Sequence, residues 1–215
     1  SNAGLFNRYH RKLRIATCGK HFPGSGKAQV DPHFELPGID ATLKDLLAED
    51  LLPFTALMPE LDAVMSGHVR FPAIDPNFPA SLSEKITGQV LRNQLGFEGL
   101  ALTDDLDMGA IRDHYGLREA VEHALIAGHD LALVCHSFNQ VAELLASLRE
   151  LPPYLKADSE RRLERFRKKL RYPPSFSQQR WNELNQRIFE LRVETLGAEE
   201  ASAPLADGTS PVTAY

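Results

Sequence analysis

Apolar residues occur along this chain in short blocks separated by longer amphipathic stretches, and the alternation repeats about four times. Residues 13–18, 63–66, 100–103 and 131–135 are compact apolar runs, ended by Gly19, Gly67-His68, Asp104 and His136-Ser137. Short runs without polar alternation predict strands buried on both faces. Between and after them, residues 42–57, 81–95, 117–127 and 139–150 place apolar side chains at three- and four-residue steps, which predicts helices. Ser83 is placed to cap the second of these and Gly96 to stop it, while Gly128 and Pro152-Pro153 close the next two. Strand–helix units in series predict an α/β fold with a parallel sheet. Two basic amphipathic helices follow, at about 159–170 and 177–196. Residues 197–215, rich in Ala, Ser, Pro and Gly, read as a disordered tail.

Composition sharpens this picture. At 215 residues, 43% hydrophobic and 25% charged, the chain is long enough for one sizeable soluble core. Ser1-Asn2-Ala3 reads as a remnant of tag removal, and 4–155, 156–196 and 197–215 as βα domain, helical extension and tail. A net charge of -5 argues against a nucleic-acid partner, so the basic faces of the last helices read as solvated surface. No apolar run is long enough to span a bilayer. Cys18 and Cys135 each sit in an apolar run and read as buried, inert thiols, too far apart in sequence for a zinc signature. Trp181 fits the apolar face of the last helix and reads as core.

The chemistry lies where apolar runs give way to loops, the position at which α/β barrels gather their active sites. Lys20-His21-Phe22-Pro23-Gly24, Asp31-Pro32-His33 and Thr103-Asp104-Asp105-Leu106-Asp107-Met108 together suggest a carbohydrate-cleaving site. Asp104 ends a strand, so its carboxylate can face a barrel mouth and attack an anomeric carbon. Asp105 then points the other way or caps the following turn. In an extended segment, stiffened here by Pro32, the Asp31 carboxylate can reach the His33 ring and prepare it for acid–base work. Lys20 and His21 offer donors to sugar hydroxyls. Each cluster also has a plain structural reading: Asp104-Asp105 as loop or cap, Asp31 as a turn former, Lys20 as a solvated cation. His68 either lines the pocket or orients a loop. A zinc ring of His21, Asp31, His33, His68 and Asp104 is a further alternative.

These motifs, with Met65-Ser66-Gly67-His68-Val69, Pro79-Ala80-Ser81-Leu82-Ser83 and Gly96-Phe97-Glu98-Gly99, resemble those of the glycoside hydrolase family 3 β-N-acetylglucosaminidases. The branch most similar is that of bacterial β-hexosaminidases that recycle cell-wall muropeptides. The resemblance runs from about residue 14 to about 150. It implies a (β/α)8 barrel of which only about the last four βα units are present. It implies Asp104 as nucleophile of a retaining reaction, His33 as general acid/base with Asp31 as dyad partner, and Lys20 and His21 holding N-acetylglucosamine. It implies no metal or organic cofactor, a cytoplasmic location, and a saccharide rather than nucleic acid or membrane as partner. Two departures stand out: Ser25 replaces the usual His, and the first four βα units have no counterpart. A half-barrel exposes two sheet edges, so self-association or pairing with the missing half is expected.

Overall fold

The computed structural model describes residues 2–203, and its chain forms two compact units, the first running to Leu170 and the second starting at Arg171. The first unit opens with helix α1 (Asn2–Lys12), followed by strand β1 (Cys18–Phe22), α2 (Leu43–Ala48), α3 (Leu52–Leu57) and β2 (Ala63–Ser66). A π-type helix (Lys85–Gln94), β3 (Leu100–Asp105), α4 (Gly109–Arg112), α5 (Leu117–Ile126), β4 (Leu131–Leu133), α6 (Val141–Ser147) and α7 (Pro153–Arg167) complete it. The second unit contains α8 (Gln178–Leu196) and α9 (Ala198–Ser202). The expected extension is therefore divided, with α7 in the first unit and α8 in the second. The expected tail begins with a short helix, and residues 204–215 lie outside the described residues.

The strands form one sheet in the order β1-β2-β3-β4, and every pair is parallel. A doubly wound sheet reverses its strand order, whereas a barrel wall keeps sequence order, so this is half of a (β/α)8 wall. One core cluster packs Phe22, Leu46, Leu51, Phe54, Val64, Phe71, Leu91 and Phe97. A second packs Leu82, Leu106, Ile111, Ala120, Val121, Ala124 and Leu144.

Several elements differ from the sequence expectation for identifiable reasons. The first strand lies later than residues 13–18. Leu13 and Ile15 are exposed, and Arg14, at φ 57, ends the α1 segment. The strand that forms carries Lys20 and His21, polar residues that hide it from a hydrophobicity reading. The single helix expected over 42–57 is two, because Pro53 has no N–H to continue the first. Thr42 caps α2 through a reciprocal box with Asp45. Ser83 does act near the start of its helix, its Oγ accepting from Ile86 N at 3.2 Å. Both cysteines are exposed rather than buried, because β1 and β4 are the sheet's outer strands. Trp181 is 55% exposed, so it is not core.

Candidate active site

Ser66 on β2 pairs with Thr103 on β3, so the residues that follow each leave the sheet at the same rim. Along β1 the register passes from Lys20↔Met65 to Phe22↔Ser66, which leaves His21 as the extra residue of a bulge. The Lys20–His21 and Phe22–Pro23 peptides are cis. His21 Nε2 reaches across β2 to within 3.3 Å of Asp104 Oδ2. A Cβ on Gly67 would lie 3.0 Å from His21 Cβ, so glycine there makes room for the ring. Burial lowers the His21 pKa from its ordinary value; Asp104 opposes this, while the Lys20 and His33 charges add to it. Asp104 thus lies in close contact with the His21 ring, and its Oδ1 accepts a hydrogen bond from Asp105 N at 2.9 Å.

The loop between β1 and α2 brings the acid–base pair to this rim. Asp31 Oδ1 accepts from His33 N at 2.9 Å and from His33 Nδ1 at 2.6 Å. With Nδ1–H bound to the carboxylate, Nε2 is the nitrogen that exchanges a proton. The His33 backbone bond, then its ring bond, holds the Asp31 carboxyl below its ordinary value. The carbonyls of His33 and Pro32 accept from Gly109 N and Ala110 N, at 3.1 and 3.3 Å. His21, His33 and Asp104 are near enough at this end of the sheet for their charges to interact, and Asp31 stands with His33; Lys20 is exposed on β1 and lines a cavity with Phe6 and Asn7.

Asp105 faces the other way, as expected of neighbouring residues in a strand. Its Oδ1 accepts from Asp107 N and Cys135 N, both at 3.1 Å, and its Oδ2 lies 3.0 Å from His136 Nδ1. Asp107 accepts from the backbone N–H groups of His136 and Ser137, at 2.8 and 2.9 Å, and from the Ser137 hydroxyl. Burial pushes Asp107 up, but the Ser137 and His136 bonds outweigh it and hold the carboxyl below its ordinary value. Among the described residues, Asp105, Asp107 and His136 are the one group of three whose ligand atoms lie within 4.8 Å of one another. Their engagement is in fastening β3 to β4. The zinc ring considered from sequence is not assembled, because His68 is committed elsewhere.

His68 is buried, with Nε2 at 2.8 Å from the Asp105 carbonyl and Nδ1 at 2.7 Å from Ser81 Oγ. A carbonyl only accepts, so Nε2–H donates to it and the Ser81 hydroxyl donates to Nδ1. Burial lowers the His68 pKa and keeps the ring neutral. Of the two roles open in the sequence, His68 takes the orienting one, fixing the backbone beside Asp104. His129, which no motif singled out, sits behind it. Its Nδ1 donates to the Ala124 carbonyl at 3.0 Å and its Nε2 accepts from Ser66 Oγ at 2.9 Å.

A run of parallel strands with a carboxylate and imidazoles at the carboxyl rim is the arrangement from which α/β barrels build active sites. Residues 4–165 match the model of the Glycosyl hydrolase family 3 N terminal domain, and the chain belongs to that family. It is 37% identical over 182 residues to a β-hexosaminidase of Pseudomonas aeruginosa, covering 84% of this chain and 53% of the relative. It is 42% identical over 139 residues to that of Nitrosomonas eutropha, covering 64% of this chain and 40% of the relative. A glycoside hydrolase family 3 β-N-acetylglucosaminidase from Paenibacillus sp. str. FPU-7 superposes with TM-score 0.75 at 33% identity, over 85% of this chain and 38% of that one. LpqI of M tuberculosis does so with TM-score 0.72 at 33% identity, over 80% and 52%. The chain spans about half the length of the curated relatives it matches.

Proposed function

We propose that this chain carries the nucleophile and acid–base half of a retaining β-N-acetylhexosaminidase. The supporting observation is the His21–Asp104 contact at the rim to which the loop bearing the Asp31–His33 pair is bonded. Asp104 Oδ2 attacks the anomeric carbon of a terminal β-linked N-acetylglucosamine while His33 Nε2 gives its proton to the departing oxygen. A covalent glycosyl-enzyme results. Water then attacks the same carbon, losing its proton to Nε2 and freeing Asp104. Asp31 orients the His33 ring by accepting from Nδ1, and Lys20 and His21 hold the sugar ring. The chemistry needs no metal or organic cofactor. Cell-wall muropeptides in the cytoplasm are the substrates that suit this reading.

Competence requires a closed wall. Among the described residues, β1 pairs only with β2 and β4 only with β3. Helix α1 already lies beside β1, where Phe6 and Asn7 share a cavity with Thr17 and Lys20. Helix α6 follows β4. A second copy would bring a duplicate helix to each seam, so a complementary half of four strands fits the gap better. A sugar-binding or assembly role without turnover is the second reading, favoured by Ser25 and the open edges. In a preparation whose wall is closed, incubation with a fluorinated N-acetylglucosaminyl fluoride, then peptide mapping, distinguishes the two. Label on Asp104, with chromogenic N-acetylglucosaminide cleavage falling at least ~10³-fold in Asp104→Asn, supports the enzyme. Binding without label supports the second reading.

A further inference from the structure

We propose that the Met108-Gly109-Ala110 turn is the seat of the acid–base loop, and that Gly109 is a positioning residue for His33. This rests on the reading of His33 as acid/base given above. The first N–H groups of a helix have no partner within it. At the start of α4 the flanking Met108 supplies no side-chain cap, and the Gly109 and Ala110 donors go instead to the carbonyls of His33 and Pro32, at 3.1 and 3.3 Å. Close approach makes this possible. A Cβ on Gly109 would meet His33 O at 2.8 Å, Phe34 O at 3.0 Å and Phe34 Cα at 3.2 Å, all backbone atoms that no rotamer change can move aside. Glycine is not needed there for its own conformation, because its φ is not positive.

The seat is rigid. Leu106, Met108, Ala110 and Ile111 are buried, and Leu106 and Ile111 belong to the second core cluster. The loop is more open to solvent, with Asp31 and Phe34 exposed. Its own turn closes internally through Phe34 N and Glu35 N to the Asp31 carbonyl, both at 3.0 Å. Asp104 and the seat stand five residues apart on one strand end. Two main-chain bonds therefore set where the His33 ring stands relative to the nucleophile.

Residue-resolved amide exchange on the chain and on Gly109→Ala tests this without requiring activity. In the unaltered chain, the Gly109 and Ala110 amides exchange slowly. In the variant they exchange at least ~10-fold faster, while Phe34, Glu35 and the β2–β3 ladder keep their protection. In any preparation that cleaves N-acetylglucosaminides, kcat/KM of the variant falls about 10²-fold for a leaving group that needs a proton. It falls less than ~3-fold for a dinitrophenyl group that leaves without one. Unprotected Gly109 and Ala110 amides in the unaltered chain, unchanged exchange in the variant, or equal losses for both leaving groups would overturn the proposal. If no preparation cleaves the sugar, the functional reading fails while the exchange result still decides the seat.

Discussion

Replacing Asp130 tests how the sheet is held from its far side. The Asp130 side chain is fully buried, with Oδ2 accepting from Arg92 Nη2 at 2.6 Å and from Ala101 N at 2.9 Å. Its Oδ1 accepts from Arg162 Nη1 of α7 at 3.1 Å. Arg92 and Arg162 side chains are only 10% and 18% exposed, so their charges are poorly solvated without this partner. Breaking a buried ion pair from one side costs about 3–5 kcal/mol. Arg92 keeps the carbonyls of Phe97 and Gly99, at 2.9 and 2.6 Å, and Asn can still accept from Ala101 N. Asp130→Asn therefore falls at the low end, about 3 kcal/mol. Asp130→Ala also strands the Ala101 amide and costs about 1 kcal/mol more. Against a total of about 5–15 kcal/mol, either loss is large. Urea unfolding followed by far-UV circular dichroism is the assay. The single tryptophan, Trp181, is in α8 of the second unit and reports on the wrong part of the molecule. A loss below ~1 kcal/mol for both variants would mean that α7 and the sheet are not coupled through this carboxylate.

Two further outcomes follow from buried and desolvated groups. Burial lowers the His129 pKa from 6.5 to about 4, with the Arg92 and His68 charges adding to the effect and the Ala124 bond opposing it. Above pH ~6.5 neither state binds this proton; below it the unfolded chain does and the folded chain refuses until about pH 4. Stability from this group is thus full at neutral pH and falls by about 3 kcal/mol as the pH drops through that window. Urea titrations at several pH values should show that slope in the unaltered chain and a flatter one in His129→Gln; parallel slopes would contradict it. Cys135 is exposed, yet desolvation first and the nearby Asp105, Asp107 and Asp104 charges next raise its pKa from 9.0 to about 11. Its alkylation by iodoacetamide at pH 8 should run about 10-fold slower than that of a thiol of ordinary pKa, because about 100-fold less thiolate is partly offset by the greater nucleophilicity of a more basic sulfur, and an ordinary rate would refute the shift.

Much of this architecture was legible in the residues. The β2 and β3 runs are apolar because most of their residues are buried, whereas β4, at the margin, is half-buried; all three positions agree with the sequence to within two residues. Strand β1 was misplaced because its own residues are Cys-Gly-Lys-His-Phe, chosen for the rim rather than for burial. The opposite orientations of Asp104 and Asp105 follow from strand geometry. The Asp31–His33 contact forms for a different reason from the one expected: residues 31–35 are not extended but fold into a turn, with Phe34 N and Glu35 N on the Asp31 carbonyl and His33 N on the Asp31 carboxylate. His68 and His129 were not readable, because their hydroxyl partners, Ser81 and Ser66, are not local in sequence. The exposure of Cys18 and Cys135 was hidden for a different reason. An apolar run announces burial, and only the count of strands on either side reveals that a run lies at an edge.

The clasp between β3 and β4 has a mechanical consequence. Strand β4 has three residues, too few for its ladder alone to fix its upper end. The carboxylates of Asp105 and Asp107 take over, gripping the chain at Cys135, His136 and Ser137. The outermost strand is thus fastened by side chains that substitution can weaken one bond at a time. Loss of either acid would fray that margin while leaving the interior ladder between β2 and β3 intact.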